Sequence, residues 1–352
     1  MDIEAGTPMQ EDALFRIYSM TKPIVSVALM MLYEEGLCSL NDPVAKYIPA
    51  FQHVKVYEKS TEVGLKLVEQ EPVMTLYHLL THTSGLSYGW YLDSPVEAMY
   101  RSCQPSLFRR DQKLADVVEQ LAQLPLLFQP GTQWRYSHAS DVLGHVVQII
   151  ADMPLVDFLQ ERIFKPLGMV DTDFYVPQEK VHRLAQMYMS PKLVDPVVPK
   201  PVNVPLIGDV TIPTDCPTGG SGLVSTLADY LKFCDCLVQN GRFEKENGRL
   251  LSRKTIEWMT SNHIPDSLRP LSIGPNNLDI GFGLGFRVVT SLGQTRYLTS
   301  VGEYGWAGAA KTFFWIDPTE EFVGIMMTQH FPTDPYPPQE IFMNLAYQAI
   351  DD

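Results

Sequence analysis

Two residues near the start of the chain are spaced for chemistry. In "YSMTKPIVSVALMMLYEEG", Ser19 and Lys22 lie three residues apart at the front of an apolar run. Three apart on a helix is one face, so the hydroxyl and the amine would lie side by side. A neutral amine beside the hydroxyl could take its proton, provided that burial lowers the amine pKa from about 10.4 toward neutrality. The N–H groups and dipole of a helix N-terminus would favour the developing alkoxide. S-x-x-K alone is a weak signal, because a surface Lys near a Ser is common.

Two other segments could complete such a site. Tyr136 in "WRYSHASDVLG" follows a Pro-Gly turn and precedes a helix, where a side chain can point into a cleft. A phenol near a Lys can be held as phenolate and act as a general base. In "SVGEYGWAGAAKTFFW", glycines and alanines flank Trp306 and leave a strand with little side-chain cover. Its backbone can approach a ligand closely. One N–H there and that of Ser19 would make a two-donor oxyanion hole. Read alone, Tyr136 could equally be an interface aromatic, and the Trp306 segment a plain edge strand packed through small residues.

Other candidates point away from a site. His82 and His138 raise the thought of a Ser-His-Asp triad, but no G-x-S-x-G elbow is present to supply its nucleophile. His82 reads as structural, and His138 as near the site without a catalytic role. "GGSG" at 219–222 has neither the Lys nor the preceding strand of a phosphate loop. Tyr88, Trp90 and Tyr91 could line an acyl pocket or simply pack a loop.

The elements that must position these residues follow from periodicity. The helix from Ser19 carries Ile24, Val27, Ala28, Met31 and Leu32 at helical spacing and closes at Gly36. Residues 53–70 are polar and unassigned. "TLYHLLTHTSGLS" reads as a short helix ending in a Ser-Gly turn. Residues 113–124 form an amphipathic helix, with two more in "SDVLGHVVQIIADM" and "PLVDFLQERIFKPLGM". Repeated prolines between 187 and 217 predict loop lining a cleft. After a helix in "LADYLKFCDCLVQNG", the runs "GFGLGFRVVTS", "TRYLTSVG", "AAKTFFWIDP" and "EFVGIMMTQH" read as β-strands. Turns at Leu292-Gly293-Gln294 and Asp317-Pro318 separate them, and a helix over 339–350 ends the chain. The outline is α+β, with an antiparallel sheet built late.

The totals set the surroundings. At 352 residues the chain can bury a large core, and 45% hydrophobic with 19% charged residues is an ordinary globular composition. The formal charge of −14, with scattered Lys and Arg, argues against nucleic acid and anionic membranes as partners. No run reaches the ~18 apolar residues of a membrane span, and the acidic start lacks a signal-peptide pattern. Cys38, Cys103, Cys216, Cys234 and Cys236 read as reduced thiols of a cytoplasmic protein. No His stands near Cys234 and Cys236 at ligand spacing, so neither a metal nor a cofactor is expected.

Taken together and in this order, "FRIYSMTKPIVSVALMMLYEEGLCSLNDPVAKYIPAF", "LLTHTSGL", "YSHASDVLG", "GGSGLVSTLADYLKF" and "GEYGWAGAAKTFFWIDP" resemble the serine β-lactamase and penicillin-binding superfamily. The likeness is to its class C β-lactamase-like branch, closest to the family VIII carboxylesterases. The resemblance implies a β-lactamase/transpeptidase-like α+β fold, an antiparallel sheet flanked by helices. Residues 1–55 with 181–352 would form the sheet domain and 56–180 a mainly helical domain, with the site in the cleft between. Ser19 becomes the acylated nucleophile, Lys22 its proton partner and Tyr136 the second base. The 219–222 turn becomes a wall. Trp306-Ala307-Gly308 takes the place of Lys-Thr-Gly, and Ala309 would join Ser19 in donating backbone N–H groups to the oxyanion.

Two departures bear on the substrate. Trp306 stands where β-lactamases place a cationic Lys, and His138 where they place the Asn of Tyr-x-Asn. An indole offers one N–H and a broad apolar face, suited to a neutral group. The expectation is therefore a serine hydrolase of small, short-acyl, uncharged esters, with Trp306, Ala307, Gly308, His138, Tyr88 and Trp90 around the substrate. The alternatives are a β-lactamase or D-amino-acid peptidase, an acyltransferase, and a non-catalytic penicillin-binding-like scaffold. Family members normally carry a helix and two strands before the nucleophile. Their absence here leads to the expectation of a homodimer whose second copy covers the sheet edge.

Overall fold

The structure, a computed structural model, describes all residues except 105, 109, 191–199, 203–206, 245, 246, 274, 275, 279, 332–337 and 352. Helix α1 spans Thr21–Glu34, and every residue from Thr21 to Leu32 is buried. The apolar pattern that predicted it is nearly continuous because the helix has no solvent face. It runs through the middle of the molecule and packs on α4, Ala139–Ala151. It ends as expected, with Gly36 in the left-handed region at φ 74°.

Between them lie α2, Leu76–Leu80, and α3, Leu114–Leu121. The amphipathic reading of α3 holds: Leu114, Val117, Val118 and Leu121 are all buried. The helix beginning at Leu155 passes through a π turn over Gln160–Phe164 before Lys165–Leu167. This irregularity sits just ahead of Pro166, whose ring nitrogen donates no hydrogen bond. Helix α5, Leu227–Val238, and α6, Pro338–Gln348, complete the frame.

The main sheet is an antiparallel meander of five strands in sequence order. They are β1 Gly281–Phe282, β2 Arg287–Val288, β3 Tyr304–Ala307, β4 Phe313–Asp317 and β5 Phe322–Met326. Alternation along β4 divides its two faces. Phe314 meets Tyr230 of α5 at 5.0 Å between ring centroids, whereas Trp315 meets Phe342 of α6 at 5.4 Å. One buried apolar cluster joins α1, α3 and α4 to Phe282, Trp306 and Phe314 of the sheet.

Two expectations need correction, and one unassigned stretch gains an element. "TRYLTSVG" is not a strand: a 3-10 turn over Leu292–Gln294 leads into irregular chain up to Gly302. Leu298 and Val301 are about half exposed there, so its apolar residues have no layer to enter. The unassigned stretch 53–70 contains a hairpin, Val56–Thr61 with Gly64–Val68, mostly exposed and therefore without a readable alternation. The loop of 187–217 carries a short pairing of Tyr188–Met189 with Lys200–Pro201. Its residues 191–199 and 203–206 lie outside the described residues. Among the described residues, no single helix is long and apolar enough to cross a membrane.

Beside β2, Arg287 and Glu303 form a buried ion pair at 2.7 Å, and Glu303 also accepts from Thr299 at 2.9 Å. The guanidinium lies 5.1 Å from the centre of the Phe313 ring. Removing one partner leaves the other charge buried alone. Glu303→Leu should therefore cost about 3–5 kcal/mol in urea unfolding; an unchanged midpoint would show that the pair contributes nothing.

Candidate active site

Ser19 lies in a 3-10 turn, Tyr18–Met20, immediately before α1 rather than on the helix itself. Tyr18 is left-handed at φ 45°, a conformation that costs a non-glycine residue about 1–2 kcal/mol. Contacts on several sides hold the turn in place. Ile17 N–H donates to Leu223 O at 3.1 Å, and the Tyr230 hydroxyl donates to Met20 O at 2.9 Å. Thr312 Oγ1 donates to Ile17 O at 3.3 Å. The bend leaves the Ser19 side chain near Lys22, in the first turn of α1.

The Lys22 amine donates to Ser19 Oγ at 3.1 Å and to Gly220 O at 2.5 Å. It is 4.6 Å from the centre of the Tyr136 ring and 5.3 Å from that of Tyr88. Burial pushes its pKa down to about 7, against a smaller upward pull from Asp141. The neutral amine that the sequence argument required is therefore accessible near neutral pH.

Tyr136 is buried at the same place, and its hydroxyl accepts from Trp306 Nε1 at 3.3 Å. Burial raises the phenol well above its ordinary range, and hydrogen bonds with Ser19 and Trp306 only partly offset this. Tyr136 therefore rests as a neutral phenol rather than the phenolate that its neighbourhood to Lys22 suggested. Of the two groups, Lys22 is the one that titrates near pH 7.

Trp306 and Ala307 lie on β3, and Gly308 and Ala309 enter the turn after it. Gly308 N–H donates to Thr312 O at 2.7 Å and closes that turn. A Cβ at Gly308 would fall 2.4 Å from Ile17 O and 2.1 Å from Thr312 Oγ1, so the strand end is pressed against the nucleophile turn. The expected oxyanion pair, Ser19 and Ala309, thus belongs to two backbone segments in close contact.

An aromatic wall adjoins these groups. Tyr88 stacks on Trp90 at 4.3 Å and meets His138 at 4.4 Å and Tyr136 at 5.3 Å. The Tyr91 hydroxyl donates to Ser272 O at 2.7 Å, and Arg135 covers its ring at 4.0 Å. His82 is buried among Trp134, Tyr136 and Phe282 with Nδ1 at 3.3 Å from Ser137 Oγ. Burial holds its pKa well below the ordinary value, so it stays neutral, in keeping with a structural part. His138 Nδ1 contacts Asp141 Oδ2 at 2.7 Å.

Sequence reasoning missed Gly220 and Asp141. The 219–222 turn does more than form a wall, because Gly220 supplies the carbonyl that meets Lys22. Its adjacent glycines are a signal in retrospect. A Cβ at Gly219 would lie 2.3 Å from Ser140 O, and one at Gly220 would lie 2.8 Å from Tyr88 Oη and 2.9 Å from Asp141 Oδ1. An acidic residue in the first turn of an apolar helix was the other signal.

Comparison with known proteins shows the family and the fold. The family model described as Beta-lactamase matches residues 1–348. Protein Rv1367c of Mycobacterium tuberculosis is 37% identical over 339 residues, 94% of this chain and 81% of its own. Esterase EstB of Burkholderia gladioli is 34% identical over 258 residues, covering 70% of this chain and 62% of EstB. The solved structure of EstCE1, described as a hydrolase with promiscuous acyltransferase activity, superposes with a TM-score of 0.76 at 25% identity. That match covers 94% of this chain and 83% of EstCE1.

Proposed function

The chain belongs to the beta-lactamase family, and from that premise we propose that it is a carboxylesterase acting through an acyl-Ser19 intermediate on small, short-acyl, uncharged esters. The observation that carries the reading is the buried Lys22 amine, 3.1 Å from Ser19 Oγ and poised near pH 7. In the proposed reaction Lys22 takes the hydroxyl proton as Ser19 Oγ attacks the ester carbonyl carbon. The N–H groups of Ser19 and Ala309 receive the charge that builds on the carbonyl oxygen. As the C–O bond breaks, the Tyr136 hydroxyl gives its proton to the leaving alkoxide and is re-protonated from Lys22. Water then attacks the acyl-enzyme with Lys22 and Tyr136 again moving its proton, and Ser19 is released.

The choice of ester over lactam rests on Trp306. Its buried indole donates to the Tyr136 hydroxyl, and by the sequence resemblance it stands where the family has a cationic Lys. It offers a substrate an apolar face rather than a charge for a carboxylate. With Tyr88, Trp90 and His138 it would bound a neutral acyl or alcohol group. EstB, by its name an esterase, supports the same direction. The thiols of Cys38, Cys103, Cys216, Cys234 and Cys236 are free, which fits placement in the cytoplasm.

The test combines labelling with two substrates. A fluorophosphonate probe should modify Ser19, identified by mass spectrometry. p-Nitrophenyl butyrate should be hydrolysed and nitrocefin should not, and Ser19→Ala should abolish both labelling and ester turnover. Nitrocefin turnover without ester turnover would replace the esterase reading with a β-lactamase or peptidase. Absence of labelling would leave a non-catalytic scaffold. The name of EstCE1 favours one second reading, transfer of the acyl group to an alcohol; product analysis with added alcohol would reveal the new ester.

A further inference from the structure

We propose that Asp141 is a positioning residue of the proton relay, holding Gly220 so that its carbonyl faces the Lys22 amine. The inference rests on the reading of Ser19 and Lys22 as nucleophile and base. Asp141 lies in the first turn of α4 and is buried. Its Oδ1 accepts from Gly220 N–H at 2.8 Å, and its Oδ2 contacts His138 Nδ1 at 2.7 Å. On the other side of the Gly220 Cα, the carbonyl accepts from Lys22 Nζ at 2.5 Å.

This arrangement sets the direction of the amine. A neutral Lys amine has two N–H groups and one lone pair. With one N–H committed to Gly220 O, the lone pair can turn to the Ser19 hydroxyl, 3.1 Å away. Glycine gives the backbone wide conformational freedom at this point, so a fixed N–H is what keeps the carbonyl in place. No larger residue could substitute for that fixation, since a Cβ at Gly220 would meet Asp141 and Tyr88 within 3.0 Å.

Asp141 also acts through its charge. The titratable groups surrounding Lys22 come from three directions: Ser19 on its own turn, His82 and Tyr88 from the segment after α2, and Tyr136 with Asp141 from α4 and the residues before it. Of these, the Asp141 carboxylate is the one whose charge favours the protonated amine, while the amine's own charge disfavours protonation of His82.

Two variants separate the contributions. In Asp141→Asn the amide oxygen can still accept from Gly220 N–H. Its NH2 can donate to His138 in the other ring tautomer, so the geometry survives without the charge. Asp141→Ala loses both. The readout is the rate of Ser19 modification by the fluorophosphonate probe as a function of pH, with folding checked by near-UV circular dichroism. Asp141→Ala should react about a hundredfold more slowly at the plateau, the scale of a displaced catalytic group. Asp141→Asn should keep its plateau within about tenfold of wild type while the acid limb moves down by about half a unit to one unit.

Equal rates for folded Asp141→Ala and wild type would overturn the proposal. If the alanine variant does not fold, Asp141→Leu takes its place, because it fills the side-chain volume without an acceptor for Gly220 N–H. A wild-type plateau then overturns the proposal, and a plateau lower by about a hundredfold supports it. The limb of Asp141→Asn reports the charge alone. Failure of the wild-type protein itself to label at Ser19 would instead remove the esterase reading, which keeps the two failures distinct.

Discussion

Lys22→Met should lower kcat/KM for p-nitrophenyl butyrate by about 10²–10⁴-fold, the range for loss of a general base. Methionine has similar length and no charge, so it fills the same buried space among Tyr88, Tyr136 and Ser19. The wild-type pH profile should share the cause. The amine pKa is depressed to about 7 and only the neutral form accepts a proton, so activity should fall as pH drops through 7. The same depression has a consequence for stability. Between pH 7 and the ordinary lysine range the unfolded chain binds the proton that the folded protein releases, so stability rises with pH across that window. Lys22→Met should lose this dependence along with the acid limb. A variant that keeps wild-type turnover, or an acid limb far from 7 in the wild type, would show that Lys22 is not the base.

Gly308→Ala is the second substitution expected to have a large effect. Its methyl group would lie 2.1 Å from Thr312 Oγ1 and 2.4 Å from Ile17 O. Thr312 can rotate its hydroxyl away, but Ile17 O is backbone in the segment leading to Ser19. The end of β3 must therefore retreat from the nucleophile turn and carry Ala309 with it. Loss of one oxyanion donor costs about 10²–10³-fold in kcat, and the displaced segment should follow that scale with KM less affected. Gly293→Ala is the matched control, because a Cβ there meets nothing within 4 Å. It should leave kcat and Tm unchanged. Near-normal turnover in folded Gly308→Ala would mean that this strand end takes no part in the reaction.

Legibility in the sequence followed the range of the interaction. Helix α3 announced its buried face because Leu114, Val117, Val118 and Leu121 are near neighbours in sequence. Strands β4 and β5 were visible for the same reason. The run 295–302 misled because β-type residues only become a strand when a layer receives them, and Leu298 and Val301 have none. The hairpin within 53–70 was hidden by the opposite fault, two faces that are both largely exposed. Tyr91 could not be told from Tyr88 and Trp90, since its hydrogen bond to Ser272 and its contact with Arg135 join residues far apart in the chain.

At the site the division is sharper. The sequence by itself determined that Ser19 and Lys22 share one side of a backbone turn, because three residues of local geometry bring them together. It also determined, by residue type, that an indole rather than an ammonium follows on the late strand. Only the tertiary structure decided the protonation states, since burial lowers Lys22 toward 7 and raises the Tyr136 phenol. Only the tertiary structure decided the partners as well. The Gly220 carbonyl reaches Lys22 across 198 residues, and Asp141 reaches Gly220 across 79. Desolvation and long-range hydrogen bonds depend on how distant segments pack, and no local spacing encodes either.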